Sequence, residues 1–257
     1  MIQQRIVSLV PSLSELVCSL GLRESLVGCT SFCIEPKSLT KSAAVVGGTK
    51  DPKLDLIAEL KPSHILVNEE ENRLEDALKL QKIAKVINTF PQSAFDVPEM
   101  IIHISKELEI PEQGQVLANK INAALGTLSQ MKKEKRRFAY FIWNRPWMLA
   151  SQDTYISRVL ELAGFENVFA GKDRYPQVEL QDLAKMQIDM ILFSSEPWPF
   201  RKRDGLQLRQ EWPSHPPIYL IDGKLISWYG STTLKAIEKI VSYLNGCQTD
   251  LLKPLGI

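Results

Sequence analysis

Three consecutive glutamates follow a short apolar run in "HILVNEEEN", His64 to Asn72. A strand ending this way concentrates negative charge at its tip, where water, a metal ion or a partner's arginines could receive it. Cys33 and Glu35 stand close together in "TSFCIEP", Thr30 to Pro36. A thiolate beside a carboxylate can bind a soft or borderline metal. Two donors are too few to define a centre, so this segment reads as a cleft-lining loop with a free thiol. The three histidines, His64, His103 and His215, are scattered, with no H-E-x-x-H pair to suggest a zinc hydrolase. The G-x-S-x-G elbow of a serine hydrolase is absent. "VVGGTKDP", Val45 to Pro52, lacks the spacing of a phosphate-binding loop and reads as a turn before a helix.

The chain that must position these residues has 257 of them, enough for one or two domains and a sizeable core. Net charge is +1, which gives no electrostatic footprint for nucleic acid. The one basic block, "KKEKRR" from Lys132 to Arg137, reads as the solvated end of a helix, where cations suit the dipole. Of the four cysteines, only Cys29 and Cys33 are close, and a chain of this length needs no disulfide staple. Cys18 reads as a small core residue on a helix face. No run of about 18 apolar residues could span a membrane. The opening "MIQQRIVSLV" enters a strand pattern directly, with no secretion signal as written, which keeps a cytoplasmic location open.

Short apolar runs alternate with helical patterns from "RIVSLV" to "KVINTF". Such alternation predicts βαβ units and parallel pairing. From Pro98 to about Arg137 the spacing of Val116, Ile121, Ala124, Leu125 and Leu128 predicts helix, the second stretch of it long. Alternation then resumes. The division expected is an α/β lobe over 1–97, a helical segment with a long bridging helix over 98–137, and a second α/β lobe over 138–257. "LDLIAELKPSHILVNEEEN" and "LQDLAKMQIDMILFSSEPW" run in parallel, each a helix, a buried strand and an acidic loop. An internal duplication would make Glu69 to Glu71 and Glu196 equivalent tips.

All five tryptophans lie in the second half, in or beside four turn-like segments: "WNRPWM", "SEPWPF", "EWPSHPP" and "SWYGS". Aromatics on loops at strand ends can line a ligand cleft. Trp147 and Trp228 have a second aromatic or an amide close by and are the foremost of these.

"RIVSLVPSLSELVCSLG", "LDLIAELKPSHILV", "GFENVF" and "RYPQVELQDLAKMQIDMIL" resemble the class III substrate-binding proteins of ABC importers over nearly the whole chain. "VGGTK", "EEN", "SEPWPF" and "WYGS" are similar to the cobalamin-binding branch. The resemblance implies the class III periplasmic-binding-protein fold, two Rossmann-like α/β lobes with parallel-type sheets joined by one long backbone helix. It implies a binding protein without catalytic residues or a resident cofactor, a monomer outside the cytoplasm that delivers its ligand to an ABC permease. The expected ligand is cobalamin or a related corrinoid, with a ferric siderophore or haem as the alternative. The ligand-binding residues it implies are Phe32, Cys33, Glu35, Asn68, Trp147, Tyr175, Trp198, Trp228 and Tyr229, with Trp147 and Trp228 as second-lobe cleft aromatics. Glu70, Glu71, Glu75 and Glu196 are the implied permease contacts, their carboxylates exposed and largely unpaired within the chain. Thr232 stands where related sequences often carry arginine. A reading of another class also remains: a cytoplasmic metal carrier or metal-dependent enzyme using Cys33, Glu35 and His64.

Overall fold

The structure, a computed structural model, describes residues 4–170 and 173–257. In chain order its elements begin with β1 (Ile6–Ser8), α1 (Pro11–Ser19), β2 (Leu26–Cys29), α2 (Leu39–Ser42), β3 (Ala44–Val45), α3 (Leu54–Glu59), β4 (His64–Asn68), α4 (Leu74–Leu80) and β5 (Lys85–Thr89). Two helices follow, α5 (Val97–Glu107) and α6 (Pro111–Ser129). The rest are β6 (Arg136–Trp143), β7 (Met148–Ala150), α7 (Tyr155–Glu161), β8 (Phe165–Asn167), α8 (Leu180–Leu183), β9 (Met190–Ser194), α9 (Lys202–Glu211), β10 (Ile218–Ile221), α10 (Gly223–Ser227), α11 (Ser231–Leu244) and β11 (Lys253–Pro254).

The chain forms two compact units. The first comprises Met1–Pro91, Phe95–Asn122 and Trp228–Thr232; the second comprises Gln92–Ala94, Ala123–Ser227 and Thr233–Ile257. The residues of α6 divide between them after Asn122, so the segment 98–137 is shared by the units. The basic run also differs from its expected place. α6 ends at Ser129, and Arg136 and Arg137 open β6, where Arg137 N–H donates to Asp189.

The first unit holds a five-stranded sheet in the order β3-β2-β1-β4-β5, parallel throughout. Its inner strands are buried on both faces, which is why "IVS" and "ILV" read as continuous apolar runs. Val7, Leu9, Val46, Ile57, Ile65, Val67 and Leu80 form one core cluster of the unit. α1 starts with Pro11 in its first turn and stops at Gly21, whose φ of +88° is a left-handed conformation suited to glycine.

The second unit holds the order β11-β10-β9-β6-β7, with β8 beside β6. β6, β8, β9 and β10 pair in parallel, while β7 and β11 are antiparallel additions. Its core is rich in aromatics: Phe141, Trp147, Phe193, Phe200 and Trp212 pack among Leu149, Leu183, Ile191 and Leu208.

Candidate functional site

In an open parallel sheet, ligands bind outside the carboxyl ends of the strands where the strand order reverses. In the first unit the order reverses between β1 and β4. The loop after β4 is built by Asn68, a buried residue. Its side-chain oxygen accepts from the backbone N–H of Glu70 at 2.9 Å and of Glu71 at 3.2 Å, and its Nδ2 donates to Thr89 O at 2.9 Å. Asn72 closes the same loop by donating to Leu9 O and Thr49 O and accepting from Asn68 N–H. Asn68, expected to face ligand, is therefore a loop-building residue with its polar groups engaged inside the unit.

The three glutamates part company. Glu69 is exposed and accepts from Asn88 Nδ2 at 2.8 Å. Glu70 is half-buried, with Lys50 Nζ donating to its backbone oxygen. Glu71 is half-buried and receives the hydroxyl of Tyr229 at 3.3 Å. Burial pushes the Glu71 carboxyl up to about 7, against the Tyr229 hydrogen bond; the neighbouring Glu70 raises it further and Lys50 lowers it. The expectation of a uniformly exposed, unpaired acidic tip fails at Glu71. Glu75 is exposed in the first turn of α4, where negative charge suits the helix dipole.

Trp228 and Tyr229 also differ from expectation. Both are buried, and both belong to the first unit although they lie late in the chain. Burial, then the Glu71 charge, raises the Tyr229 phenol well above its ordinary value, against hydrogen bonds with Ser12 and Thr89. The returning segment is anchored to α1, with the Ser231 hydroxyl donating to Glu15. Thr232, also buried, donates to the same carboxylate at 3.4 Å. Gly230 has φ +99°, and a side chain there would also meet Leu16 at 3.2 Å, so glycine permits the close approach.

The loop after β2 carries Phe32, 58% exposed, with its ring edge against Gly48. Glu35 is half-buried. Cys33 is 1% exposed, with Ser14 Oγ and Thr30 Oγ1 at 3.1 and 3.2 Å from its sulfur. The thiol expected to contact ligand is thus enclosed by the unit's own hydroxyls. Among the described residues no three His, Cys, Asp or Glu side chains group to hold a metal ion. His64 opens β4, at the far end of the strand from the glutamates, which removes it from the set proposed for a metal carrier.

In the second unit the order reverses between β6 and β9. The two loops after these strands border a cavity of about 500 Å³ lined by Asn144, Arg145, Trp198, Arg203, Asp204 and Gln207. Buried Asp204 organises it. Asp204 accepts from Asn144 Nδ2 at 2.9 Å, from Trp198 Nε1 at 3.3 Å and from Arg201 N–H at 2.8 Å, the last bond capping α9. The Asn144 side-chain oxygen is buried without a hydrogen-bond partner. Arg145 is exposed and holds φ +68°, a sparsely populated conformation for a residue with a side chain. Trp198 is half-buried and packs edge-on against exposed Trp143, ring centres 5.3 Å apart. Of these residues the sequence nominated Trp198 and not Asn144, Arg145 or Asp204.

Trp147 is not a cleft residue. It is 8% exposed, stacks on Phe193 and Phe200 at 6.3 Å, meets Phe141 edge-on and donates Nε1 to Glu211 at 2.9 Å. Tyr175 is half-buried in the segment before α8. Glu196 is half-buried; it accepts from Ser227 Oγ at 3.2 Å, so its carboxylate too is engaged within the unit.

The family model for periplasmic binding proteins matches residues 6–213, most of the chain. The chain belongs to the periplasmic binding protein family. A vitamin B12-binding protein of Vibrio campbellii is 25% identical over 250 residues, covering 93% of this chain and 89% of that relative. The solved periplasmic vitamin B12 binding protein of Vibrio cholerae superposes with a TM-score of 0.76 at 20% identity, covering 94% of this chain and 96% of the other. A periplasmic heme-binding protein of Roseiflexus superposes with a TM-score of 0.80 at 20% identity, over 96% of this chain and all of the other. The fold is the class III fold of periplasmic binding proteins, with two α/β units and one long helix contributing residues to both. Among the described residues no helix is long and apolar enough to cross a membrane.

Proposed function

We propose that this chain is the substrate-binding receptor of an ABC importer, acting outside the cytoplasm as a monomer and taking cobalamin or a related corrinoid. The observation that carries the reading is the family match joined to whole-length similarity with a vitamin B12-binding protein. The strand-end loops support it. Each unit, taken by itself, carries an aromatic on a strand-end loop, exposed Phe32 in the first and half-buried Trp198 in the second, a residue type suited to the flat face of a macrocycle; Glu35 and Tyr175 remain proposed ligand contacts of the first and second unit. The Asn144 side-chain oxygen, buried beside the cavity without a hydrogen-bond partner, is an acceptor suited to a carboxamide N–H on a corrinoid's rim. Glu75 and Glu196, with Glu70, are the carboxylates proposed to meet arginines of the permease.

Haem is the comparison ligand. A haem iron held by histidine needs an imidazole near the strand-end loops. His64 lies at the start of β4, His103 on α5 and His215 beyond α9, away from those loops. Titration of the purified chain with cyanocobalamin and with haemin, each followed by visible absorbance, tests the reading. Saturable one-to-one binding of cyanocobalamin with micromolar or tighter affinity is expected. Absence of saturation at tens of micromolar, or binding of haemin alone, removes the corrinoid as ligand.

A further inference from the structure

Arg201 caps α9 and Lys202 and Arg203 open it, so three exposed cations stand in a row at the N-terminus of a ten-residue helix. The positive pole of the helix dipole already lies at that end, which makes the run electrostatically unfavourable by itself. An anion held there turns the same arrangement into an attractive one. Asp204, in the same turn, offsets the run only in part. It is buried at 3% exposure, and its carboxylate is taken up by Asn144 Nδ2, Trp198 Nε1 and Arg201 N–H. Arg203 approaches it only through Nε at 3.9 Å, with 72% of its own side chain exposed. Arg203, from the start of α9, and exposed Arg145, from the loop after β6, both line the cavity of about 500 Å³. Asn144 lines it too. The Asn144 Nδ2 is committed to Asp204 and Gln207, while its buried Oδ1 has no partner. A buried carbonyl oxygen without a donor is a cost that a ligand N–H removes on binding. The cavity therefore suits a ligand segment that carries an anionic group with an N–H donor close beside it.

Resting on the corrinoid reading above, we propose that this cavity of the second unit takes the corrinoid's nucleotide loop. Arg145 and Arg203 hold its phosphodiester, and the Asn144 oxygen accepts from the amide N–H that ties the loop to the ring. A phosphodiester is anionic, and its oxygens match the planar fork of a guanidinium. Only a short alkyl spacer separates it from the linking amide, so one segment of the ligand supplies both the charge and the donor. The neutral carboxamides on the rest of the rim would leave both guanidinium groups without a charged partner. The two arginines thus select complete corrinoids over precursors that consist of the ring alone.

The test titrates the full chain calorimetrically with cyanocobalamin, cobinamide and cobinamide phosphate. Cobinamide keeps the ring and the linking amide but lacks phosphate, ribose and base; cobinamide phosphate restores the phosphate alone. Cyanocobalamin and cobinamide phosphate are expected to bind about tenfold or more tighter than cobinamide at low ionic strength, the gap narrowing as salt rises. A chain carrying Arg145→Gln and Arg203→Gln should bind cyanocobalamin only as tightly as the parent binds cobinamide. Its own affinity for cobinamide should stay unchanged, which also shows that it is folded. Asn144→Leu should weaken all three probes, since each carries the linking amide, and unchanged affinity would remove that oxygen from the site. The proposal is overturned, with the corrinoid reading left standing, by equal binding of cyanocobalamin and cobinamide to the parent. It is equally overturned if cobinamide phosphate binds no tighter than cobinamide, or if the double variant weakens both ligands alike or neither. Binding of none of the three removes the corrinoid reading and the proposal with it.

Discussion

The Tyr229 hydroxyl donates to the Glu71 carboxylate at 3.3 Å, joining residues 158 apart in the chain. Both belong to the first unit, and burial raises the titration of each. For Glu71 the raised value means that the folded chain binds more protons than the unfolded chain between 4.5 and about 7. Stability therefore falls as pH rises through that window and stays at the lower level above it. Glu71→Gln, which imitates the protonated acid, is expected to be more stable than the parent at pH 8 by about 1–3 kcal/mol. The two should converge near pH 4. Urea unfolding at both pH values checks this, and a Gln variant destabilised equally at each would sink it.

The alternation of "RIVSLV", "HILV" and "KVINTF" with helical patterns made the parallel sheet legible, because strands buried on both faces leave continuous apolar runs. The sequence singled out Trp198 through its turn-like neighbourhood, and Phe32 only through the family resemblance. Trp147 was misplaced because a turn-like neighbourhood says nothing of which way an indole packs, and this one turns into the core of the second unit. Trp228, expected as a second-lobe aromatic, lies in the first unit because the return of Trp228–Thr232 is a tertiary event, held by Glu15 on α1. Asn144 and Asp204 were invisible for a related reason. Their importance depends on β6 and β9 being neighbours at a reversal of strand order, which no local pattern encodes.

Trp147 and Trp198 should separate stability from binding. Trp147→Ala removes the stack on Phe193 and Phe200 and the bond to Glu211, and is expected to cost about 3–5 kcal/mol. Trp198→Ala removes a half-buried ring and one bond to Asp204, and should cost about 1–2 kcal/mol. On the proposed function, Trp198→Ala weakens cyanocobalamin binding about tenfold or more, while Trp147→Ala binds normally wherever it is folded. Urea midpoints beside absorbance titrations give both quantities. Equal loss of affinity in the two variants would count against Trp198 as a ligand contact.

Asn68 offers a test of loop construction. Asn68→Ala leaves the backbone N–H groups of Glu70 and Glu71 without their acceptor and should cost about 1–3 kcal/mol. Asn68→Asp keeps that acceptor and loses the donation to Thr89 O, so it should lie between the parent and the alanine variant. Amide exchange at residues 70 and 71 should accelerate in the alanine variant and stay slower in the aspartate variant. Unchanged protection in Asn68→Ala would show that the loop holds without its side chain.

The remaining acidic contacts differ in what they can contribute to a partner. Glu75 is exposed and placed in the first turn of α4, while Glu196 is half-buried and accepts from Ser227 Oγ. On the proposed function each meets an arginine of the permease. Rim charges act mainly on the association rate, and salt screens them. Glu75→Lys alone should slow association with the permease a few-fold at low ionic strength, the difference shrinking at high salt. Because reversal also opposes the helix dipole, about 0.3–1 kcal/mol of stability is lost with it, and Glu75→Gln separates the two effects. Combining Glu75→Lys with Glu196→Lys should abolish measurable docking and leave the affinity for cyanocobalamin unchanged. Association measured on reconstituted permease, beside ligand titration of the same variants, decides the matter. A loss insensitive to salt, or one accompanied by weaker ligand binding, would mean that these carboxylates support the receptor's own structure and not its docking.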